Sequence, residues 1–205
     1  MRTQIYKKEE MIHEACNIVL EGGFEKLTAR KLADNLNCST QPIYLQYKNM
    51  HDLKNSVIDV LWNRMVKKCN RIARSLVLND DIEYENYVRF TAALVKISLK
   101  NRDIYRALWI DEKGDSVYLF QLFEELYVGQ LFNIPEFASL SKVDKKKLHF
   151  KLMMTVQGLI LIQFSGVRVF SDVELVGLIS QFIDDFRMDD SVDYSTGLYN
   201  IKIDM

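Results

Sequence analysis

A chain of 205 residues, 48% hydrophobic and 27% charged with only two prolines, can bury a substantial core and propagate helix over most of its length. The formal net charge of −1 hides an asymmetry: residues 1–74 hold 13 Lys and Arg against 8 Asp and Glu, whereas residues 75–205 hold 14 against 20, a basic head on an acidic body. Cys16, Cys38 and Cys69 form no CxxC pair and His13, His51 and His149 lie singly, so no metal, redox or other cofactor framework is expected and the thiols suit a reducing cytoplasm.

The N-terminal segment has no apolar run of the kind a signal peptide needs. The first helix is predicted over residues 7–20, where Met11, Ile12, Ala15, Cys16 and Val19 make one apolar stripe and Gly22-Gly23 stops it. Thr28 is placed to cap a second, short helix over 29–36 that turns Leu32, Ala33 and Leu36 inward, and Asn37 suits the left-handed residue that ends it. A third helix, capped by Ser39 or Thr40, runs to about Tyr47 with Pro42 in its first turn and Ile43 and Tyr47 inward. Two short helices joined by about three residues form a helix-turn-helix pattern. A longer helix is predicted from His51 or Asp52 to Ser75, and residues 79–81 are the expected seam between two domains.

Everything beyond the seam reads as helix: 84–99, 103–111, 116–132, a connector over 133–140 containing Pro135, then 144–166 and 172–187. The charge-free run 152–167 is 16 residues long, short of the roughly 20 that span a bilayer, and its Thr155, Gln157, Gln163 and Ser165 suit a protein interface instead. The tail from Asp189 is acidic, then alternates weakly through Tyr199, Ile201 and Ile203, as a disordered segment or a short strand would. No GxSxG, HExxH, P-loop or GxGxxG motif occurs, and the pairs Asp111-Glu112, Glu124-Glu125 and Asp184-Asp185 read as solvated faces, so catalysis is not expected.

A helix-turn-helix reads duplex DNA by laying the leading turn of its second helix along base edges in the major groove. Thr40, Gln41 and Pro42 occupy that turn; Gln41 can pair with adenine and Pro42 can meet a thymine methyl. Arg30 can reach a guanine edge or a phosphate. Thr28, Ser39, Tyr44 and Lys48 supply hydroxyl donors or a cation suited to phosphates, although Thr28 and Ser39 read equally well as helix caps.

The segment GGFEKLTARKLADNLNCSTQPIYLQYKN resembles the N-terminal DNA-binding signature of the TetR family of transcriptional regulators, through Gly23-Phe24, Thr28, Leu32-Ala33, Cys38-Ser39, Tyr44, Tyr47 and Lys48. The match covers roughly residues 7–55, and the family's usual second lysine two positions past Lys48 is here Met50, with His51 the nearest substitute. The resemblance implies an all-α fold of about nine helices: a three-helix head over 1–51, then a connecting helix with a helical ligand-binding and dimerisation domain over 52–205. It implies a cytoplasmic homodimer on a palindromic double-stranded operator, Tyr44 on a phosphate, and a repressor released by a small apolar or amphipathic effector. A DNA-binding protein of the same fold with an architectural role and no effector is the alternative.

Two further sets of residues follow. Val156, Leu159, Ile160, Gln163, Leu175, Leu178, Ile179 and Phe182 recur at helical spacing and suit either a buried core or, as the resemblance implies, a four-helix interface between two copies. Tyr87, Phe90, Tyr105, Trp109, Phe120, Phe123 and Tyr127, with Met154 and Gln157 opposite, have the composition of a ligand pocket and equally of an ordinary core.

Overall fold

The computed structural model describes residues 7–76, 84–111, 113–132 and 134–188. Among them are nine α-helices and no strand: α1 (Lys8–Gly22), α2 (Ala29–Asn35), α3 (Gln41–Gln46), α4 (Met50–Ala73), α5 (Glu85–Lys100), α6 (Arg102–Trp109), α7 (Ser116–Phe132), α8 (Lys142–Phe164) and α9 (Asp172–Met188), with a single 3-10 turn at Pro135–Phe137. The seam expected at 79–81 and the tail from Asp189 lie outside the described residues. No helix among those described is long and apolar enough to cross a membrane.

The local chemistry of the first three helices sets their lengths. Gly23, at φ +84°, ends α1 and donates its N–H to the Val19 carbonyl at 2.8 Å. Thr28 Oγ1 accepts the Lys31 N–H at 3.1 Å and so caps α2, and Asn37, at φ +53°, turns the chain out of it. The start of α3 departs from the expected cap. Thr40 stands at the N-cap, but it has helical dihedrals and its side chain makes no capping bond; its carbonyl accepts from Ile43 and Tyr44 instead. Asn49, not His51 or Asp52, opens α4: its Oδ1 takes the Asp52 N–H at 2.9 Å while the Asp52 carboxylate takes the Lys48 N–H at 3.1 Å.

Helix α5 is the axis of the larger part, buried at Tyr87, Val88, Phe90, Ala93, Leu94 and Ile97 and packed against α4, α8 and α9. Its buried Thr91 and Ser98 hydroxyls are satisfied within the helix, Thr91 donating to the Tyr87 carbonyl at 2.8 Å and Ser98 to that of Leu94 at 2.7 Å. Beside it stands a continuous aromatic stack: Phe123 lies 4.4 Å from Tyr127, 5.4 Å from Trp109 and 5.8 Å from Trp62, and Tyr127 lies 5.3 Å from Tyr87 and 5.6 Å from Phe90.

His149 of α8 is built into that stack, 2% exposed, its ring 5.2 Å from Phe123 and 5.4 Å from Tyr127, and neither ring nitrogen has a hydrogen-bond partner. Burial holds its pKa down at about 4, so it is neutral at pH 7. The unfolded chain, with an ordinary histidine, takes up the proton first as pH falls. Stability tied to His149 is therefore complete above about pH 6.5 and drains away as pH drops toward 4. In urea titrations, His149→Phe should lose less stability than the unsubstituted chain between pH 7 and pH 5, by on the order of 1–2 kcal/mol. Parallel losses in the two proteins would show that His149 does not titrate against folding.

Candidate nucleic-acid interface

Helix α3 has room for only two inward side chains, and it uses Ile43 and Tyr47, both buried. The rest of the helix turns Gln41, Tyr44, Leu45 and Gln46 to solvent, and Lys48, in the extended segment just past it, is exposed as well. Thr28, Arg30, Ser39 and Thr40 are exposed as well, on the turns and helix beside it. Of the DNA-facing residues expected from sequence only Pro42 is half-buried. The Thr28 oxygen is already an acceptor in its cap, which leaves the hydroxyl proton for donation outward. Met50 is half-buried against the hydrophobic core, and the exposed His51 faces the carboxylate of Asp115 at 3.5 Å. Sequence reasoning passed over Leu45, whose exposure only the rotation of α3 about Ile43 and Tyr47 reveals.

The head is tied to the body by polar contacts that sequence gave no hint of. Asp111, just past α6, accepts the Phe24 N–H on Oδ2 at 2.5 Å and the Lys113 N–H on Oδ1 at 3.0 Å. Arg106 donates to the Leu20 carbonyl at 3.1 Å, and Lys54 donates to that of Lys113 at 3.1 Å. Gly23 is required here twice over: its φ is positive, and a Cβ on it would stand 2.6 Å from Asp111 Oδ2.

The expected effector wall lies in the body as packed core. Tyr87, Phe90 and Phe123 are buried around Tyr127, Trp109 and Phe120 are half-buried, and Tyr105, buried against Phe164, donates its hydroxyl proton to Gln157 Oε1. Met154 faces solvent at 59% exposure, away from that wall. A cleft of about 640 Å³ opens instead between the end of α4 and the start of α5, among Asn70, Arg74, Asn86 and Arg89 with Tyr87, Phe90 and Ile134, and it shares only Tyr87 and Phe90 with the expected set.

The expected interface residues divide in the same way. Val156, Leu159, Ile160, Gln163, Leu175 and Ile179 are buried within their own chain, Leu178 is exposed and Phe182 half-buried. Helix α8 carries two apolar stripes and turns the 156–160–163 stripe inward. Its outward stripe is Met154, Leu161 and Ile162, joined by Val173 and Leu178 of α9, and a Cβ on Gly158 or Gly177 would meet nothing within 4 Å.

No family model matches the sequence, and no curated protein matches it. Solved structures do. A protein of Pseudomonas aeruginosa proposed to be a transcriptional regulator superposes with a TM-score of 0.63 at 14% identity, over 91% of this chain and 95% of the other. The regulator FadR of Bacillus subtilis, in complex with stearoyl-CoA, gives 0.57 at 14% identity over 88% and 97%. A TetR variant of Acinetobacter baumannii, in complex with minocycline, gives 0.54 at 17% identity over 89% and 97%. The chain has the all-α fold of the TetR-type regulators.

The Gly23–Asp111 contact makes a testable pair. Asp111→Ala should cost about 1–3 kcal/mol by leaving the part-buried Phe24 N–H unpaired. Gly23→Ala should cost more than 1 kcal/mol through its positive φ and the carboxylate it meets. Because both losses involve one carboxylate, the double variant should be less destabilised than the two single costs added together. Strict additivity in urea unfolding would separate the two sites.

Proposed function

We propose that the chain is a cytoplasmic, sequence-specific DNA-binding transcriptional regulator, acting as a homodimer on a palindromic operator and released by a small apolar or amphipathic ligand. One observation carries the reading: a helix-turn-helix whose second helix is anchored inward by Ile43 and by Tyr47 at its end and presents Gln41, Tyr44 and Leu45 to solvent, with Lys48 exposed just beyond it. The excess of Lys and Arg over residues 1–74 supports it, since phosphate neutralisation supplies most non-specific affinity. We read residues 1–51 as the DNA-binding head and 52–205 as the connecting, effector and dimerisation part. Repression, the default reading, rests on the TetR resemblance.

In this reading Gln41 pairs with an adenine edge, Arg30 with a guanine edge or a phosphate, and Tyr44, Lys48, Thr28 and Ser39 fix the register on the backbone. One recognition helix reads too little sequence alone, and two copies related by a twofold axis read two half-sites. The outward stripe of α8 and α9 suits the pairing, with two glycines that allow close approach. That a TetR variant is seen with minocycline and FadR with stearoyl-CoA supports an effector-responsive body. The alternative, an architectural DNA binder without an effector, draws support from the closely packed aromatic wall, and release of bound DNA by a metabolite would decide against it.

Fluorescence anisotropy on a duplex selected in vitro tests the contacts. Lys48→Ala should weaken binding to every sequence and reduce the salt dependence by about one ion. Gln41→Ala should relax preference at one base pair, by about 1–3 kcal/mol, and spare random DNA; equal losses on both would exclude base reading. For the assembly, Leu161→Arg with Leu178→Arg should convert a sedimenting dimer to monomer, whereas an unchanged dimer would move the interface off α8 and α9.

A further inference from the structure

Leu45 is 77% exposed, one residue from the end of a six-residue helix, and the contacts assigned above make no use of it. A lone surface leucine is ordinary, so its neighbours decide the matter. On the outward side of α3 it is accompanied by amides at Gln41 and Gln46 and a phenol at Tyr44, with the Lys48 cation exposed just past the helix, each able to bond to a duplex. Leu45 has no donor or acceptor to offer, and it contributes nothing to folding where it stands, since Ile43 and Tyr47 make the inward contact.

We infer that Leu45 is a specificity-determining residue that packs on the 5-methyl group of a thymine in the major groove. The inference rests on the DNA-binding reading of α3. The floor of that groove is otherwise polar: nitrogen and oxygen acceptors and amino donors, with the thymine methyl as its distinct apolar feature. A side chain of carbon alone gains there only by covering that methyl, and it disfavours a base pair whose amino or carbonyl group it would desolvate. The position fits. Leu45 lies four residues after Gln41, about 6 Å farther along the helix at 1.5 Å per residue, so the two side chains address base pairs one to two steps apart at roughly 3.4 Å per step. Pro42, the other apolar residue of the leading turn, is half-buried and less free to reach a base.

The test uses the full chain and a duplex selected from a random pool, in which each thymine is replaced singly by deoxyuridine to delete one methyl and nothing else. Binding should weaken about threefold to fivefold at one thymine of a half-site, the worth of one buried methyl, and little at the others. Leu45→Ala should bind the thymine duplex with the same loss and no longer distinguish thymine from deoxyuridine there, while Lys48→Ala binds every duplex more weakly and keeps the distinction. Deoxyuridine penalties that persist in full in Leu45→Ala, or a pool with no methyl-sensitive thymine, would overturn the role of Leu45 and leave the DNA-binding reading standing. A pool in which no sequence is enriched would overturn both.

Discussion

The carboxylate of Asp111 sits where the helix-turn-helix meets the helical body, and the relative placement of the two depends on it. It takes the backbone N–H of Phe24 immediately after the glycine that ends α1, so it fixes the one turn from which α2 and then α3 are hung. An acceptor with both oxygens engaged by N–H groups is worth more than a typical surface ion pair, because displacing it leaves backbone donors without partners. The Arg106 bond to the Leu20 carbonyl and the Lys54 bond to Lys113 act around the same junction. Helix α6 and the loop after it thus hold the end of α1 and the start of α4 together.

The same α6 reaches into the aromatic stack. Tyr105 is bonded to Gln157 of α8, and Trp109 meets Phe123 of α7 edge-on, 5.4 Å away. For the proposed regulation this is the physical link that matters, since rings in contact cannot be separated without moving the helices that carry them. A ligand entering among them displaces α6, and with it Asp111 and Arg106, only if it binds the displaced arrangement better than the packed one. The unpaired imidazole of His149 lowers the cost of such a rearrangement. Its two nitrogens lose no hydrogen bond when the stack opens, whereas a fully satisfied polar network would resist.

Most of this architecture was legible in the residues. Thr28, Asn37 and Gly23 mark helix ends by chemistry that acts within a few residues, and the bounds of α7 agree with expectation residue for residue. What was not legible is which of two stripes a helix turns inward. On α8 the stripe of Val156, Ile160 and Gln163 and the stripe of Met154, Leu161 and Ile162 are both apolar enough, and only the position of the helices packed against it, α5, α7 and α9, selects the first. The aromatic residues posed a similar problem, because a pocket wall and a packed stack have the same composition. Asp111 escaped for a different reason: its partner is 87 residues away in the chain, and nothing in a local pattern distinguishes such a carboxylate from its solvated neighbours.

Met50, where the TetR pattern usually has a lysine, bears on how the proposed DNA binding is distributed. It packs against the core at the first turn of α4, His51 beside it is directed at Asp115, and Lys54 is held by the Lys113 carbonyl. In the proposed DNA-binding reading, the start of α4 therefore offers the duplex few free cations, and backbone anchoring falls to Lys48 and to the exposed cations of α2, Arg30 and Lys31. Fewer neutralised phosphates reduce affinity for all DNA alike. Contacts to base edges are unaffected by that loss, so on the same proposal Gln41 and Leu45 carry a larger share of what binding remains. A head built this way gives up some affinity at every site and less of its discrimination between them, which is the direction a regulator of few operators requires and an architectural protein does not.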